Sequence, residues 1–343
     1  MASPIEMVFG SGGWKTITEF GGIEQMKQAI TFLQREGIQF IDTSALYGDS
    51  EVILGQVGAP ETHTIDTKHP GGAAPGITTT EEVLKVANES LKRLGTDKVN
   101  VYYFHSPERR ASLEPGLEAI NTLYNEGKIA QFGLSNFLPD EVGEVLRITK
   151  ENNWLRPTVY QGSYAAISRR PEVELFPLLR ENGISFHAYS PIAGGFLAKD
   201  VDELFKDGGE NATGRWDKKS FVGEIYHLLY NKPSMIEGLR LWKKIAKEAG
   251  VSGAELAYRW VVHNSALRGE LGDRVIVGAK NLGQLKETIS WVKKGALDES
   301  TAKQIEDVWK LVEKASTLDP YNDGVLKISG ALEKRKADWE KAR

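Results

Sequence analysis

The sequence predicts an α/β fold: a (β/α)8 barrel with a long segment after its seventh strand and accessory C-terminal helices. Two observations predict it. Short β-branched or aromatic runs recur along the 343 residues, and each is followed by a longer stretch with helical spacing. A third favours closure: the alternation reaches eight units, which argues for one parallel barrel domain over 1–343 rather than a two-domain enzyme.

The first strand is "EMVFGSG", followed by a helix in which Ile23, Met26, Ile30 and Leu33 share one face. The second, "IQFIDT", ends on Asp42, with Tyr47 just beyond and an apolar helical pattern resuming at Val52. The third, "HTIDTKH", delivers Lys68. After it "TTTEEVLKVANESLKRLG" opens with threonines able to cap, carries Glu81 and Glu82 in its first turn, and stops at Gly95. The fourth, "VNVYYFHS", ends at His105; the fifth, "IAQFGLSN", at Ser135 and Asn136; the sixth, "TVYQGSY", carries Gln161. "PEVELFPLLRENG" opens with proline and closes on Asn182 and Gly183, as one helix would.

The seventh strand, "ISFHAYSP", brings Tyr189 and Ser190. The long segment that follows, about 194–234, is expected to be a lid or binding loop, disorder being the alternative, since structureless loops of such length are uncommon in compact domains. Two helical patterns ending near Leu267 are expected after its Gly-, Asp- and Lys-rich part. The eighth, "RVIVGAK", ends in Gly278 and Lys280. "ALDESTAKQIEDVWKLVEKAS" and the charged "LEKRKADWEKAR" read as accessory helices, the second within a C-terminal extension at about 318–343.

Composition narrows the function classes. A net charge of −4 gives no electrostatic footprint for nucleic acid or an anionic membrane, so small molecules are the expected partners. The absence of cysteine removes disulfides, thiolate catalysis and zinc–thiolate sites. The start lacks a basic region followed by an apolar stretch, and no run reaches ~18 apolar residues. A soluble, cytoplasmic protein is therefore expected, and composition does not choose between monomer and homodimer.

In a barrel of this kind the chemistry sits at the carboxyl ends of the strands, so residues distant in sequence become neighbours. Asp42 alone reads as readily as a helix or turn cap, and Tyr47, Lys68 and His105 each have a bland reading as packing, surface charge or core polarity. Together they form a machine for carbonyl reduction. A tyrosine with an ordinary pKa of about 10 becomes a usable acid when a lysine ammonium beside it stabilises the phenolate. Lys68 can supply that charge, Asp42 can keep it protonated, and neutral His105 can donate a hydrogen bond to the carbonyl oxygen as charge develops there.

"FIDTSALYG", "IDTKH", "YYFHSPE", "GLSNF", "VYQGSY", "AYSPIAGG" and "VIVGAKNLGQLKET" resemble, in order and spacing, the successive motifs of the aldo-keto reductase superfamily. "RPTVYQGSYAAISRRPEVELFPLLRENGISFHAYSPIAGGFLA" is most similar to its aflatoxin-aldehyde reductase branch. The resemblance implies an NADPH-dependent barrel that reduces aldehydes and ketones by direct hydride transfer, with no metal and with Asp42, Tyr47, Lys68 and His105 as catalytic tetrad. It implies Ser135, Asn136 and Gln161 at the nicotinamide carboxamide, Tyr189 stacked on the ring, and Ser190, Ile192, Gly194 and Lys199 near the pyrophosphate. Lys280 would meet an adenosine 2′-phosphate, with Gln284 and Thr288 on the rest of the nucleotide and Arg215 over the cofactor. Trp14 and Trp216 are expected as apolar pocket walls, core packing being the alternative for both.

Two other functions remain open on the sequence. An NADPH-binding sensor or regulatory subunit could carry the same residues with little turnover. Schiff-base chemistry at Lys68 also fits a lysine on a barrel strand, but leaves the nucleotide-like segment near Lys280 without a role.

Overall fold

The computed structural model describes residues 4–73, 76–209 and 213–330. Eight strands, β1 (Glu6–Gly10), β2 (Phe40–Asp42), β3 (Thr64–His69), β4 (Val99–Phe104), β5 (Ile129–Ser135), β6 (Pro157–Ser163), β7 (Ser185–Tyr189) and β8 (Arg274–Val277), close in sequence order. The closing pairing is parallel, with Met7 opposite Val275. This is the (β/α)8 barrel that the alternation predicts.

Its elements form for local reasons. The helix Ile23–Arg35 buries Met26, Ala29, Ile30, Phe32 and Leu33 on one stripe, leaving Ile23 half-buried at its start. Thr79 caps the helix Thr80–Leu94 by accepting from the Glu82 N–H, and Gly95 ends it in the left-handed region at φ +69°. Inside the barrel, Gly133 is required by space: a Cβ there would lie 2.3 Å from the Tyr103 ring. Removing that side chain gives Tyr103 its place in the interior.

Two expectations are corrected. "PEVELFPLLRENG" is not one helix but two short ones, Pro171–Glu174 and Phe176–Glu181, because Pro177 lacks an N–H and its ring clashes with the carbonyl a turn earlier. Nor is the segment after β7 a bare loop. It folds into short helical pieces, Ala193–Ala198, Val201–Phe205, Gly214–Trp216 and Phe221–Tyr230, ahead of the helices Pro233–Glu248 and Gly253–Arg259, where helical patterns are expected.

The chain divides into two compact units: Met1–Gly162 with Leu175–Tyr189 and Leu267–Ser290, and Ser163–Glu174 with Ser190–Ala266 and Trp291–Arg343. The first carries the barrel. In the second, the helix Glu299–Val312 is capped by Asp298, which accepts from the Thr301 N–H; the charged segment "LEKRKADWEKAR" lies outside the described residues. No helix among the described residues is long and apolar enough to cross a membrane.

Candidate active site

Parallel pairing sets the strand ends of the first unit side by side. Asp42 ends β2 opposite Asp66 of β3, and Lys68 lies opposite Tyr103 of β4. From Asp42 the chain turns sharply: the Tyr47 N–H bonds the Ser44 carbonyl at 3.0 Å, a turn that returns the tyrosine ring to the Lys68 ammonium. Gly48 makes that return possible. Its φ is +58°, and a Cβ there would sit 2.7 Å from the Lys15 carbonyl oxygen, so only glycine fits without strain. Beneath the turn lies a buried hydroxyl cluster. Ser11 donates to the Asp42 carbonyl at 2.9 Å, and Thr43 donates to Ser50 at 2.9 Å.

Lys68 and Asp42 are 0% and 3% exposed, and the lysine Nζ lies 2.6 Å from both carboxylate oxygens and 2.7 Å from the Thr43 carbonyl. Burial opposes the ammonium, but Asp42 and then Tyr47 outweigh it and hold the Lys68 pKa above its ordinary value. The lysine is therefore charged. Its Nζ stands 5.2 Å from the centroid of the half-buried Tyr47 ring and 5.6 Å from that of Tyr103. His105, one residue past β4, packs edge-on to Tyr47 with ring centroids 5.5 Å apart and planes at 81°. Burial, and then the Lys68 charge, push the His105 pKa down to about 3, so its ring is neutral at physiological pH.

The next strands present amides and a ring. Asn136, in the left-handed region at φ +62°, donates to the His105 carbonyl at 2.8 Å and to Ser135 Oγ at 3.2 Å, and accepts from the Tyr189 hydroxyl at 2.8 Å. A non-glycine residue held in that conformation by three bonds is the kind of backbone strain that collects at functional sites. Gln161, on β6, donates to Asp42 Oδ1 at 2.9 Å. The Asp42 carboxylate thus binds both the lysine and an amide.

A charged lysine, a phenol and a neutral imidazole against one another can protonate and polarise a carbonyl oxygen. Residues 6–310 match the model of the aldo/keto reductase family. The chain is 37% identical over 294 residues to the oxidoreductase sirO of Leptosphaeria maculans, covering 85% of this chain and 88% of that one. It is 37% identical over 290 residues to human aflatoxin B1 aldehyde reductase member 4, covering 82% and 87%. An aldo-keto reductase of Pseudocercospora fijiensis is 33% identical over 296 residues, covering 82% and 96%. The chain belongs to the aldo/keto reductase family. It is accordingly an oxidoreductase, of a family that acts on small carbonyl compounds.

The remaining residues singled out in the sequence of this aldo/keto reductase are placed as follows. Past β8, Gly278 and Lys280 are exposed; the Lys280 N–H bonds Gln284 Oε1 at 2.7 Å, and Thr288, a turn further, is buried. Asn281, which no sequence motif singles out, caps the helix Leu282–Val292 by accepting from the Gln284 N–H at 2.8 Å. In the second unit, Ser190 and Gly194 take left-handed conformations at φ +57° and +66°, with the half-buried Ile192 between them. Lys199 pairs with Glu203 at 3.4 Å, and Arg215 is exposed.

Neither tryptophan presents an open wall. Trp14 is 0% exposed, packed 5.3 Å from Phe9 and 5.4 Å from Phe20 by ring centroids. Trp216 is 2% exposed within the second unit, among Phe196, Phe205, Tyr226 and Tyr230, with its Nε1–H on the Gly194 carbonyl at 3.1 Å. Both are core residues, the alternative that large apolar rings always carry.

Ser44 and Asp66 also belong to this site, though no motif in the sequence singles them out. Asp66 is buried two residues before Lys68, on the same face of β3, where strand alternation alone could have found it. Its Oδ1 accepts from Asn100 at 2.8 Å and from the Val101 N–H at 3.0 Å, yet burial raises its pKa to about 7.

Proposed function

We propose that this chain is an NADPH-dependent reductase of aldehydes or ketones in which Tyr47 is the general acid. One observation carries the reading: the buried ammonium of Lys68, chelated by Asp42, stands against Tyr47, whose ring meets neutral His105. Tyr47 donates its proton to the carbonyl oxygen, and Lys68 stabilises the phenolate left behind. Asp42 keeps the lysine charged and aimed. His105, being neutral, donates a hydrogen bond to the same oxygen without adding a second cation beside Lys68.

The residues present fit a nicotinamide cofactor. The Tyr189 hydroxyl is held by Asn136 while its ring stays half-buried, which suits a stacking face. Ser135, Asn136 and Gln161 offer donors and acceptors for the carboxamide, and exposed Lys280 offers a cation for the 2′-phosphate that distinguishes NADPH from NADH. When bound, the dihydronicotinamide supplies the hydride.

The test is NADPH oxidation by the purified protein with 4-nitrobenzaldehyde, with NADH and Tyr47→Phe in parallel. Turnover that prefers NADPH and falls at least about 100-fold in the variant is expected. NADPH binding without turnover across a panel of aldehydes and ketones would overturn the reading and leave a nucleotide sensor.

A further inference from the structure

We infer that Ser44 is a positioning residue for this reaction: its hydroxyl fixes His105 in the tautomer that carries its proton on Nε2. The inference rests on the reductase reading above and deepens it. Ser44 is 0% exposed, in the turn that follows β2, and its Oγ lies 2.9 Å from His105 Nδ1. The same oxygen accepts the Leu46 N–H at 3.1 Å. Among the described residues these are the side chain's two hydrogen-bond partners.

The bookkeeping of one hydroxyl decides the tautomer. Ser44 has a single proton and already accepts from Leu46, and the remaining partner within reach is His105 Nδ1. If Nδ1 carried the proton, Ser44 would accept twice, and its own buried O–H would have no acceptor. Leaving such a donor unmade costs about 1 to 3 kcal/mol. With the proton on Nε2, Leu46 N–H bonds Ser44 Oγ and Ser44 O–H bonds Nδ1, so both polar roles of the serine are filled and Nε2–H is left as the donor open to a substrate. That free donor is what a carbonyl oxygen near Tyr47 requires.

The arrangement also joins the two groups that act on that oxygen. Ser44 supplies the carbonyl that receives the Tyr47 N–H, the hydroxyl that receives Leu46, and the bond that orients His105, sixty-one residues away. The turn bearing the acid and the ring donating the second hydrogen bond are registered by one serine. An imidazole without the Nδ1 acceptor bond would lose both its tautomer preference and its orientation.

Two measurements test this. Ring 15N NMR of histidine-labelled wild type, with the His105 signals assigned by their loss in His105→Asn, is expected to show a pyridine-type Nδ1 and a pyrrole-type Nε2. A pyrrole-type Nδ1 would overturn the inference. This measurement needs no turnover, so it stands even if the reductase reading fails in the NADPH assay. In the turnover assay, Ser44→Ala is expected to lower kcat about tenfold with the NADPH dissociation constant unchanged, and Ser44→Thr, which keeps the hydroxyl, to recover most of the loss. Placed in a His105→Asn background, Ser44→Ala is expected to cost nothing further; an additive tenfold loss there would show that Ser44 does not act through His105.

Discussion

The ends of β2 to β4 and the segment after β7 are both densely packed, but with opposite chemistry. At the strand ends the buried groups are an ion pair, a neutral imidazole and a cluster of hydroxyls, each distance set by a hydrogen bond. After β7 the buried groups are rings: Phe196 stacks on Tyr230 at 4.9 Å and Trp216 meets Tyr226 at 5.1 Å. Rings of that kind are fully explained by packing. A buried ion pair is not, because its desolvation offsets its attraction and well-packed apolar residues would hold the fold as well or better. Where a fold keeps buried charge that packing does not need, chemistry is the reason to look for.

The largest effect should come from breaking the charge pair. Asp42→Ala strands the Lys68 ammonium in a site that is 0% exposed and removes the acceptor of Gln161. Unfolding free energy is expected to fall by about 3 to 5 kcal/mol, and reductase activity to vanish with it. The double variant Asp42→Leu/Lys68→Met sharpens the contrast: it is expected to melt within a few degrees of wild type or above it, while remaining inactive. If the double variant were as unstable as Asp42→Ala, the pair would be a structural element after all. Denaturant titration of the three proteins decides it.

That contrast also explains what could be read from the sequence. The strands were legible because their apolar runs show their own period, and the site because barrel strands deliver Asp42, Lys68 and His105 at their ends in chain order. After β7 the helices Pro233–Glu248 and Gly253–Arg259 were legible as helical patterns, but the short turns before them were not, since these are held by contacts among Phe196, Trp216 and Tyr230, whose partnership no local pattern announces. The break at Pro177 is visible in the letters, but Pro171 and Gly183 mark one continuous helix equally well. Ser44 is the hardest case. A serine in a turn has many uses, and its own depends on a histidine sixty-one positions away.

A second test uses the buried carboxyl behind the pair. Asp66 has a native pKa of about 7, raised chiefly by burial, against 3.8 in the unfolded chain. Between those values the native state holds a proton that the unfolded state has released, so this group's contribution to stability falls as pH rises from about 4 to about 7. The slope is at most about 1.4 kcal/mol per pH unit. His105, depressed to about 3, acts oppositely: its contribution grows from about pH 3 to about 6.5 and is lost on acidification. Comparing Asp66→Asn with wild type isolates the first effect. The variant is expected to gain relative stability steadily between pH 4 and 7 and to level off above; a difference independent of pH would mean that Asp66 is ionised in the folded protein.

The smallest effect belongs to the aromatic region. Trp216→Phe keeps an aromatic ring among Phe196, Tyr226 and Tyr230 but removes the Nε1–H bond to the Gly194 carbonyl and part of the indole volume. A loss of about 2 kcal/mol is expected from those two terms, read as a lowered melting temperature. Because the ring is 2% exposed, the KM for an aldehyde is expected to hold. A KM that rises several-fold with the melting temperature intact would return Trp216 to a pocket wall, and would show that burial among rings after β7 is not by itself a sign of packing alone.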